Sequence, residues 1–352
     1  MPVVSQPSLT ADSVKAAALS VGFDTCGIAR AERSPRLARL SEWIAAGHAG
    51  DMSYLADSLE ERADPVRVLP TVKSIVSLAV VYNAAQPYST EVTDPACAAI
   101  SRYAWGEDYH DVLRGRLRRL VELMSAAAGP GFEAFSCVDS GPVQERVFAE
   151  QAGIGWIGKN TCLINPTLGS WIFLGEVLTN LELDPDAPSV DHCGTCTRCL
   201  DACPTGAIVE PYVVDATRCL SYLTIESRGA VDAVHRPDIA AQVYGCDICQ
   251  DVCPWNRHAA VSEDAAWQPR AGLAFPRLLD LCRLSDEEWR AHLKGSALRR
   301  AGLKRIRRTL AYAAAAQPAE RARAALEALE SQASATDEVV RDAIEWTRAT
   351  IS

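Results

Sequence analysis

The chain has 352 residues, a formal net charge of −10 and 48% hydrophobic residues, with 13 cysteines. A chain of this length holds about two domains, its acidic charge argues against a general nucleic-acid-binding surface, and no segment approaches the roughly 20 apolar residues of a membrane span. Residues 1–10 carry neither a basic and apolar export signal nor a twin arginine, so we expect a cytoplasmic protein without membrane contact.

Helices and strands alternate over residues 1–180, and this order predicts an α/β sandwich. The segment 74–82 is an almost continuous apolar and β-branched run, typical of a strand covered on both faces. Thr10 is the candidate N-cap of the first helix, and Gly22 is its stop. The predicted helices cover 11–21, 37–46, 112–128 and 143–150, and the predicted strands cover 23–29, 74–82, 132–138, 162–164 and 171–178.

An acidic motif follows the strand predicted over 132–138. It reads Val-Asp139-Ser-Gly-Pro and leads into the next helix. Ligand sites form at such strand ends in α/β sheets, and an aspartate that burial keeps neutral could donate a proton there. The alternative is an ordinary turn or N-cap aspartate, which the motif by itself favours.

A glycine-rich segment comes after that helix and reads Gly153-Ile-Gly-Trp-Ile-Gly158-Lys159-Asn160. It is not a Walker loop, because Asn160 stands where that loop needs Ser or Thr, and no dinucleotide fingerprint follows a strand. It resembles a loop that lets the backbone and Lys159 come close to a large ligand with anionic or amide groups. The alternative is a tight turn with a surface lysine.

The cysteine region, about 181–258, carries the most specific pattern. It contains Cys193-x2-Cys196-x2-Cys199-x3-Cys203-Pro and Cys246-x2-Cys249-x3-Cys253-Pro. The first spacing is the bacterial ferredoxin run, in which three thiolates hold one [4Fe–4S] cube and the fourth reaches a second cube. Val243 stands where the second run would need a cysteine, and Cys219 replaces it. We predict one cluster on Cys193, Cys196, Cys199 and Cys253, and another on Cys203, Cys219, Cys246 and Cys249.

Two alternatives to iron–sulfur clusters are weaker. All-cysteine zinc sites usually show two well-separated C-x2-C pairs, and a disulfide framework suits a small secreted domain. The clusters indicate that the chain moves electrons, so its N-terminal domain should hold a second redox centre. The other cysteines are interpreted as small buried residues or idle thiols, and they are Cys26, Cys97, Cys137, Cys162 and Cys282.

The C-terminal part predicts short helices over 284–351, broken near Gly302, 317–318 and 334–336, as in a short α-helical solenoid of HEAT type. The segment 290–308 has eight Lys and Arg residues and no Asp or Glu. On an acidic chain this predicts a docking site for a polyanion, and the alternative is a solvated helix face. The basic residues are Arg290, Lys294, Arg299, Arg300, Lys304, Arg305, Arg307 and Arg308.

Several motifs occur in an order that resembles the epoxyqueuosine reductase family, over roughly residues 10–320. The helices after Pro318 match least clearly. The motifs are Arg62-Ala-Asp-Pro, Tyr103-Ala-Trp-Gly-Glu-Asp108-Tyr-His110, Val138-Asp139-Ser-Gly-Pro-Val-Gln-Glu-Arg146, Gly155-Trp-Ile-Gly-Lys-Asn160, the double cysteine run and Gly295-Ser-Ala-Leu-Arg-Arg300.

The resemblance implies reduction of the epoxide of epoxyqueuosine, at the tRNA wobble position, to the cyclopentene of queuosine, with the oxygen lost as water. It implies two [4Fe–4S] clusters, an external low-potential electron donor and a cobalamin whose base is off the metal. Asp139 would be the proton donor, with a raised pKa. His110 is interpreted as structural, and Cys97 is left outside the site. Arg62, Gln144, Lys159 and Asn160 match family positions near the cobalamin.

The resemblance also implies three parts: a nitroreductase-like α/β cobalamin domain over 1–180, a ferredoxin-like two-cluster domain over 181–258, and a HEAT-like tRNA-docking domain over 259–352. The partner is the anticodon stem-loop, whose wobble nucleotide must leave its stack to reach a buried metal. Tyr103, Trp105 or Trp156 could stack on that base. Nothing demands an oligomer, so we expect a monomer. The alternative functions are a reductive dehalogenase-like enzyme and a ferredoxin-type electron-transfer subunit.

Overall fold

The computed structural model describes residues 9–33 and 35–352, so residues 1–8, part of the segment inspected for an export signal, lie outside the described residues. The N-terminal half contains helices α1 to α7 and strands β1 to β7. They are α1 Ala11–Ser20, β1 Thr25–Arg30, α2 Pro35–Ala45, α3 Tyr54–Asp57, α4 Leu59–Ala63, α5 Pro65–Val68, β2 Ser74–Val81, β3 Ala99–Ile100, α6 Tyr109–Ala128, β4 Ala134–Cys137, α7 Glu145–Gln151, β5 Trp156–Ile157, β6 Leu163–Ile164 and β7 Ile172–Thr179.

The main sheet has the strand order β1-β2-β7-β4, and every neighbouring pair is antiparallel. All residues of β2 are buried, as its apolar sequence predicts for a strand with both faces covered. Val14 of α1 and Leu117 of α6 belong to the core on one face, and Phe148 of α7 belongs to the core on the other. The sheet is therefore a layer between helices, and the predicted elements are present within a few residues.

The cysteine region has little regular structure of its own. Its elements are α8 Arg198–Asp201, β8 Ile208–Glu210, β9 Val213–Val214, α9 Leu220–Ile225, β10 Gln242–Tyr244 and α10 Ile248–Asp251. Strand β10 pairs in parallel with β3 of the N-terminal half. This pairing fixes the second cysteine run against the α/β half of the chain.

The C-terminal part consists of helices, as predicted, with breaks at the predicted positions. They are α11 Leu278–Arg283, α12 Asp286–Leu293, α13 Gly302–Ala314, α14 Ala319–Glu330 and α15 Glu338–Thr350. Helix α13 is central, because it packs against α11, α14, α15, α9 and β10. One hydrophobic core includes Leu223 of α9, Val243 of β10 and Leu310 of α13, so this core continues across residue 258. The predicted domain limits and the HEAT-like character stay predictions.

Two arginines of the basic segment 290–308 are core residues, which corrects the prediction that all eight serve a docking surface. Arg307 and Arg308 have 1% and 0% exposure. Arg307 donates hydrogen bonds to the carbonyl groups of Cys282 and Leu284, and Arg308 to those of Leu223, Ser227 and Gly229. Carbonyl acceptors compensate the cost of burying these guanidinium groups. Burial nevertheless lowers the pKa of Arg308 to about 10.

The helices of residues 9–33 and 35–352 include none with the length and apolar character needed to cross a membrane.

Strand β1 touches helix α7 so closely that it needs a glycine at one position. Gly27 pairs with Ser77 of β2, and a Cβ on Gly27 would lie 2.0 Å from the carbonyl oxygen of Ala152. We predict that Gly27→Ala lowers the free energy of unfolding by about 1–3 kcal/mol, because overpacking displaces backbone.

Gly115→Ala is the matched control for this substitution. Gly115 is exposed within α6, and a Cβ there would meet nothing within 4 Å, so the change should stabilise the helix by about 0.5–1 kcal/mol. Urea denaturation under anaerobic conditions measures both variants. Equal midpoints for the two variants would contradict the proposed contact.

Candidate active site and cluster-binding thiols

Asp139 lies in the loop between β4 and α7 and has an unusual backbone conformation. Its φ is +52°, in the left-handed region that residues with a Cβ seldom adopt. The backbone N–H of Asp139 donates a hydrogen bond of 2.6 Å to Glu145 Oε1 in the first turn of α7. Glu145 therefore holds the loop in a conformation that would otherwise cost energy.

The Asp139 carboxylate has two side-chain partners at the start of α6. The hydroxyl of Tyr109 donates to Asp139 Oδ2 at 2.9 Å, and His110 Nε2 lies 3.2 Å from the same oxygen. His110 Nδ1 lies 2.8 Å from Oδ1 of Asp108, the N-cap residue of α6. The imidazole ring is thus held between two carboxylates, and Asp139 is not the N-cap of any helix.

The Asp139 side chain keeps 63% of its surface exposed, while the surrounding protein still opposes its ionisation. We call this solvent-accessible position between the β4–α7 loop and the start of α6 the recess. Glu145 beside Asp139 is enclosed by protein and still partly exposed. A ligand can therefore reach the Asp139 carboxyl group from solvent.

The protonation states differ from the sequence-based expectation for Asp139. Burial opposes its ionisation, but hydrogen bonds from His110 and Tyr109 outweigh burial and lower the pKa of Asp139 below its ordinary value. The expected raised pKa is therefore wrong for this conformation. Burial opposes the charged imidazole too, yet hydrogen bonds to Asp108 and Asp139 raise the pKa of His110 to about 9. Burial and the Asp139 charge raise the pKa of Glu145 to about 8.

The predicted cobalamin contacts divide into two pairs. Gln144 Nε2 donates to the carbonyl groups of Leu37 and Arg62, at 3.1 and 3.0 Å, so Gln144 and Arg62 lie together beside the Asp139 loop. Lys159 Nζ donates to the carbonyl groups of Gly194 and Cys196 at 2.6 and 2.9 Å.

Asn160 follows the same pattern as Lys159, because its Nδ2 donates to the carbonyl group of Cys249 at 3.2 Å. The glycine-rich loop therefore binds both cysteine runs, and Lys159 is not the free surface lysine of the alternative interpretation.

The eight predicted ligand cysteines influence one another in the two predicted sets. Burial is the main cause that raises the pKa of Cys199 to about 11, and the charges of Cys193 and Cys196 add to it. Burial likewise raises the pKa of Cys253 to about 11, with contributions from the charges of Cys193 and Cys199. In the second set, Cys219 and Cys203 contribute to the raised pKa of Cys246 after burial. The pKa of Cys249 is raised first by its hydrogen bond with Cys162, which belongs to neither set, then by burial and by the charges of Cys246 and Cys219. The thiols are grouped without converging on one point: within the described residues, no three Cys, His, Asp or Glu side chains could hold a single metal ion.

Hydrogen-bond donors surround these thiols. The backbone N–H of Ala207 donates to Cys203 Sγ at 3.2 Å. The Trp156 indole N–H is buried without a hydrogen-bond partner. It is near enough to Cys193 to oppose the rise that burial causes in the pKa of that thiol. Donors of this kind stabilise thiolates and the sulfur atoms of clusters. The surroundings of the cysteines therefore fit iron–sulfur clusters.

Four residues near these sites were not assigned to them from the sequence. His110 was interpreted as structural, and Cys162 was interpreted as an idle thiol. Tyr109 and Glu145 occur within quoted motifs but were given no role. The Cys162 thiol contacts that of Cys249. The sequence does place Tyr109 and His110 directly after Asp108, the N-cap residue of α6. Only the fold shows that this end of the helix faces the β4–α7 loop.

The exposed part of the basic segment begins at this site. The backbone N–H of Asp108 donates to the Gly295 carbonyl group at 3.0 Å, and the Arg299 guanidinium lies 3.5 Å from Asp108 Oδ2. Arg300 forms a two-point ion pair with Glu226 and lies over the ring of Tyr54. The basic residues with exposed side chains are Arg290, Lys294, Arg299, Arg300 and Lys304.

Two of the three predicted stacking residues are buried, and Tyr103 is partly buried. Trp105 and Trp156 each have 1% exposure, and the Tyr103 hydroxyl donates to that of Tyr244 in a largely buried contact. Tyr54 has 42% exposure and lies beneath Arg300, so it replaces the two tryptophans as a candidate platform.

Two family models match parts of the chain. The model described as "4Fe-4S double cluster binding domain" matches residues 192–256, and the one described as "Epoxyqueuosine reductase QueG, DUF1730" matches residues 62–140. The cysteine region therefore binds two [4Fe–4S] clusters, as the spacing predicts.

Whole-chain relatives agree with these models. The chain is 43% identical to an epoxyqueuosine reductase of Pseudomonas aeruginosa, over 97% of this chain and 94% of that protein. A crystal structure of an epoxyqueuosine reductase with a tRNA-Tyr epoxyqueuosine-modified stem-loop matches with a TM-score of 0.87 and 32% identity, over 97% of this chain and 89% of that one. A Bacillus subtilis epoxyqueuosine reductase, whose catalytic aspartate loop is swung out of the active site, matches with a TM-score of 0.86 and 31% identity, over 97% and 90% of the two chains.

The assignment of Cys219 to the second cluster has a direct test. We predict that Cys219→Ser loses one cluster only, because the other set keeps all four thiolates, so iron falls from about eight to about four atoms per chain. Iron and sulfide analysis and electron paramagnetic resonance of reduced protein measure this loss. Cys97→Ser, at a thiol beside Asp94 and Arg277, is the matched control with full iron. Full iron and both cluster signals in the Cys219 variant would remove Cys219 from the ligand set.

Proposed function

The chain belongs to the epoxyqueuosine reductase family, and on that premise we propose that it reduces epoxyqueuosine to queuosine at the wobble position of tRNA. The observation that carries the proposal is the Asp139 carboxylate, which stands in a recess against two proton-bearing neighbours. The loop that joins this half of the chain to both cluster-binding runs supports it further. An electron-transfer subunit or a dehalogenase-like enzyme has no use for a tRNA-docking surface beside that recess.

The reaction sets the requirements for the site. Converting an epoxide to an alkene with release of water takes two electrons and two protons. The two clusters supply electrons one at a time, and we propose that they receive them from an external low-potential donor. A tRNA substrate is consistent with a cytoplasmic enzyme, and we propose that it acts as a monomer.

Cobalamin is the proposed redox centre in the α/β half of the chain. Bound there, it would supply a metal able to take two electrons and pass them to the epoxide. Polar and cationic side chains suit the amide groups and the phosphate of this cofactor. The terminal nitrogens of Arg62, the third hydrogen of Lys159 Nζ and the second hydrogen of Asn160 Nδ2 remain for such contacts, whereas Gln144 would offer its carbonyl oxygen because its Nε2 already donates twice. Both ring nitrogens of His110 are engaged by carboxylates, so this histidine is not a metal ligand. The residues present therefore fit a base-off cobalamin without a histidine ligand.

Asp139 is the proposed acid that protonates the departing epoxide oxygen. Its exposed carboxyl faces the recess, and Tyr109 and His110 fix its orientation. The bond from its N–H to Glu145 keeps the loop turned toward the recess. In the B. subtilis relative the corresponding loop is swung out, so we propose that this bond forms and breaks as the site closes and opens.

The anticodon stem-loop is proposed to dock on the exposed residues of the basic segment. Arg299 is 68% exposed and lies beside Asp108, so a phosphate at this point would sit at the edge of the recess. Tyr54 and Arg300 present an aromatic ring and a guanidinium plane, which are surfaces on which an extruded base can stack. Contacts to phosphate groups, as proposed for Arg299, position the nucleic acid without reading its sequence.

Asp139→Asn tests the acid. We predict that turnover falls at least about 100-fold, because the amide cannot supply a proton and general acid catalysis contributes about that factor or more. Anaerobic incubation with epoxyqueuosine-containing tRNA and a reductant, followed by nucleoside mass spectrometry, measures the product. The variant should keep its iron and cobalamin contents. Asp111→Asn, at an exposed carboxylate of α6, is the matched control, and near-normal turnover of the Asp139 variant would exclude Asp139 as the acid.

The docking surface is tested by the salt dependence of tRNA binding. We predict that replacing Lys294 and Arg299 by Ala lowers the slope of log affinity against log salt by about 1–2, because each lost phosphate contact contributes roughly 0.7–0.9. Fluorescence anisotropy over a range of potassium chloride concentrations measures the slope.

The matched control replaces Arg321 and Arg323, two exposed arginines of α14 outside the basic segment. The same slope in both double variants would return the basic segment to the interpretation of a solvated helix face.

A further inference from the structure

The proposed reaction consumes two protons, whereas Asp139 can hold only one. When bound substrate covers its exposed carboxyl, Asp139 needs a neighbouring group that returns a proton to it during a turnover. The His110 ring lies between this carboxylate and a second one: Asp108 Oδ1 is 2.8 Å from Nδ1, and Asp139 Oδ2 is 3.2 Å from Nε2. These two contacts connect Asp108, the N-cap residue of α6, through His110 to Asp139 in the recess.

We propose that Asp108, His110 and Asp139 form a proton relay, in which His110 is the positioning residue that reloads the Asp139 carboxyl during epoxide reduction. This inference rests on the proposed function. Asp108 fixes the ring through Nδ1, and His110 acts on the substrate only through Asp139.

The proton transfers balance as follows. The N–H bond at His110 Nε2 breaks and an O–H bond forms at Asp139 Oδ2. The imidazole is then neutral, and its remaining N–H, at Nδ1, still donates a hydrogen bond to Asp108. Asp139 then gives this proton to the oxygen derived from the epoxide. Repeating both transfers supplies two protons, while two electrons from the clusters complete the conversion of epoxide to alkene and water.

The charges around His110 support this direction. Its pKa of about 9 leaves the ring charged at neutral pH, and the pKa of Asp139 is below its ordinary value, so the resting proton is on the imidazole. A hydrogen bond from His110, opposed by burial, also lowers the pKa of Asp108. Several titratable or charged groups, on α6 and on the elements around it, affect the pKa values of the relay residues. They are Asp108, Tyr109, Asp139, Glu145, Arg146 and Arg299.

The two other donors near Asp139 are less suited to this task. Burial and the Asp139 charge raise the pKa of Tyr109, so its phenol is a poor acid. Glu145 uses Oε1 to hold the loop and is enclosed by protein, which limits its return of a proton from solvent. His110 keeps 23% of its side-chain surface exposed, so its ring can be recharged from water.

The relay is tested by the pH dependence of single turnovers of the reduced holoenzyme with epoxyqueuosine-containing tRNA, between pH 6 and 10. Wild-type protein should show a constant rate to about pH 8 and a decline with an apparent pKa near 9. His110→Gln should be slower by roughly 10–100-fold at pH 7, and its rate should fall about tenfold per pH unit because Asp139 must then take protons from water. His258→Gln, at an exposed histidine, should keep the wild-type profile.

A wild-type pH profile in His110→Gln would overturn the relay. Absence of product from wild-type protein at every pH would instead reject the proposed function, so the two failures are distinct.

Asp108→Asn covers the case in which His110→Gln does not fold, because asparagine is also a good N-cap. It should shift the alkaline limb toward lower pH, and nuclear magnetic resonance of ¹³C-labelled histidine should show a lower His110 pKa than in wild type. A wild-type His110 that titrates near the ordinary value of about 6.5 would overturn the relay independently of activity.

Discussion

The proposed ligand sets impose one constraint on the whole molecule: the chain must bring Cys253 back to the loop of Cys193–Cys199, and Cys203 forward to Cys246 and Cys249. Neither proposed cluster can be completed by one run, because each ferredoxin-type run leaves a ligand to the other set. The pairing of β10 with β3 and the bond from Asn160 to the Cys249 carbonyl group hold the second run in place. Electron supply is thereby attached rigidly to the half of the chain that carries Asp139.

The proton side of the site is built on different physics. A carboxylate that stands in a recess would ordinarily be driven toward its neutral form by loss of water. Here a charged imidazole and a phenol hydroxyl reverse that tendency, so Asp139 is ionised while its neighbours carry the protons. The backbone strain at Asp139 is offset by the bond from its N–H to Glu145.

The basic segment shows how one sequence feature can serve two purposes. Its buried members, Arg307 and Arg308, donate to backbone carbonyl groups and attach α13 to α9 and α11. Arg299, one of its exposed members, lies beside Asp108 at the edge of the recess. The same stretch therefore fixes the helical part of the chain and carries the proposed docking surface, which ties the position of the tRNA to that of the active site.

The sequence by itself determined the local and the chemically specific features. Periodicity and turn residues located the helices and strands, because these depend on neighbours along the chain, and the cysteine spacing identified two clusters, because cube geometry requires it. The antiparallel order β1-β2-β7-β4 and the continuous core across residue 258 were not predicted.

Tertiary structure alone decided the contacts between distant segments. The charge of Asp139 is set by His110, which lies 29 residues away in the chain, and burial separates Arg307 and Arg308 from the exposed arginines of the same segment. A pKa and a buried fraction both depend on what lies across the fold from a side chain, and no pattern along a single chain specifies that.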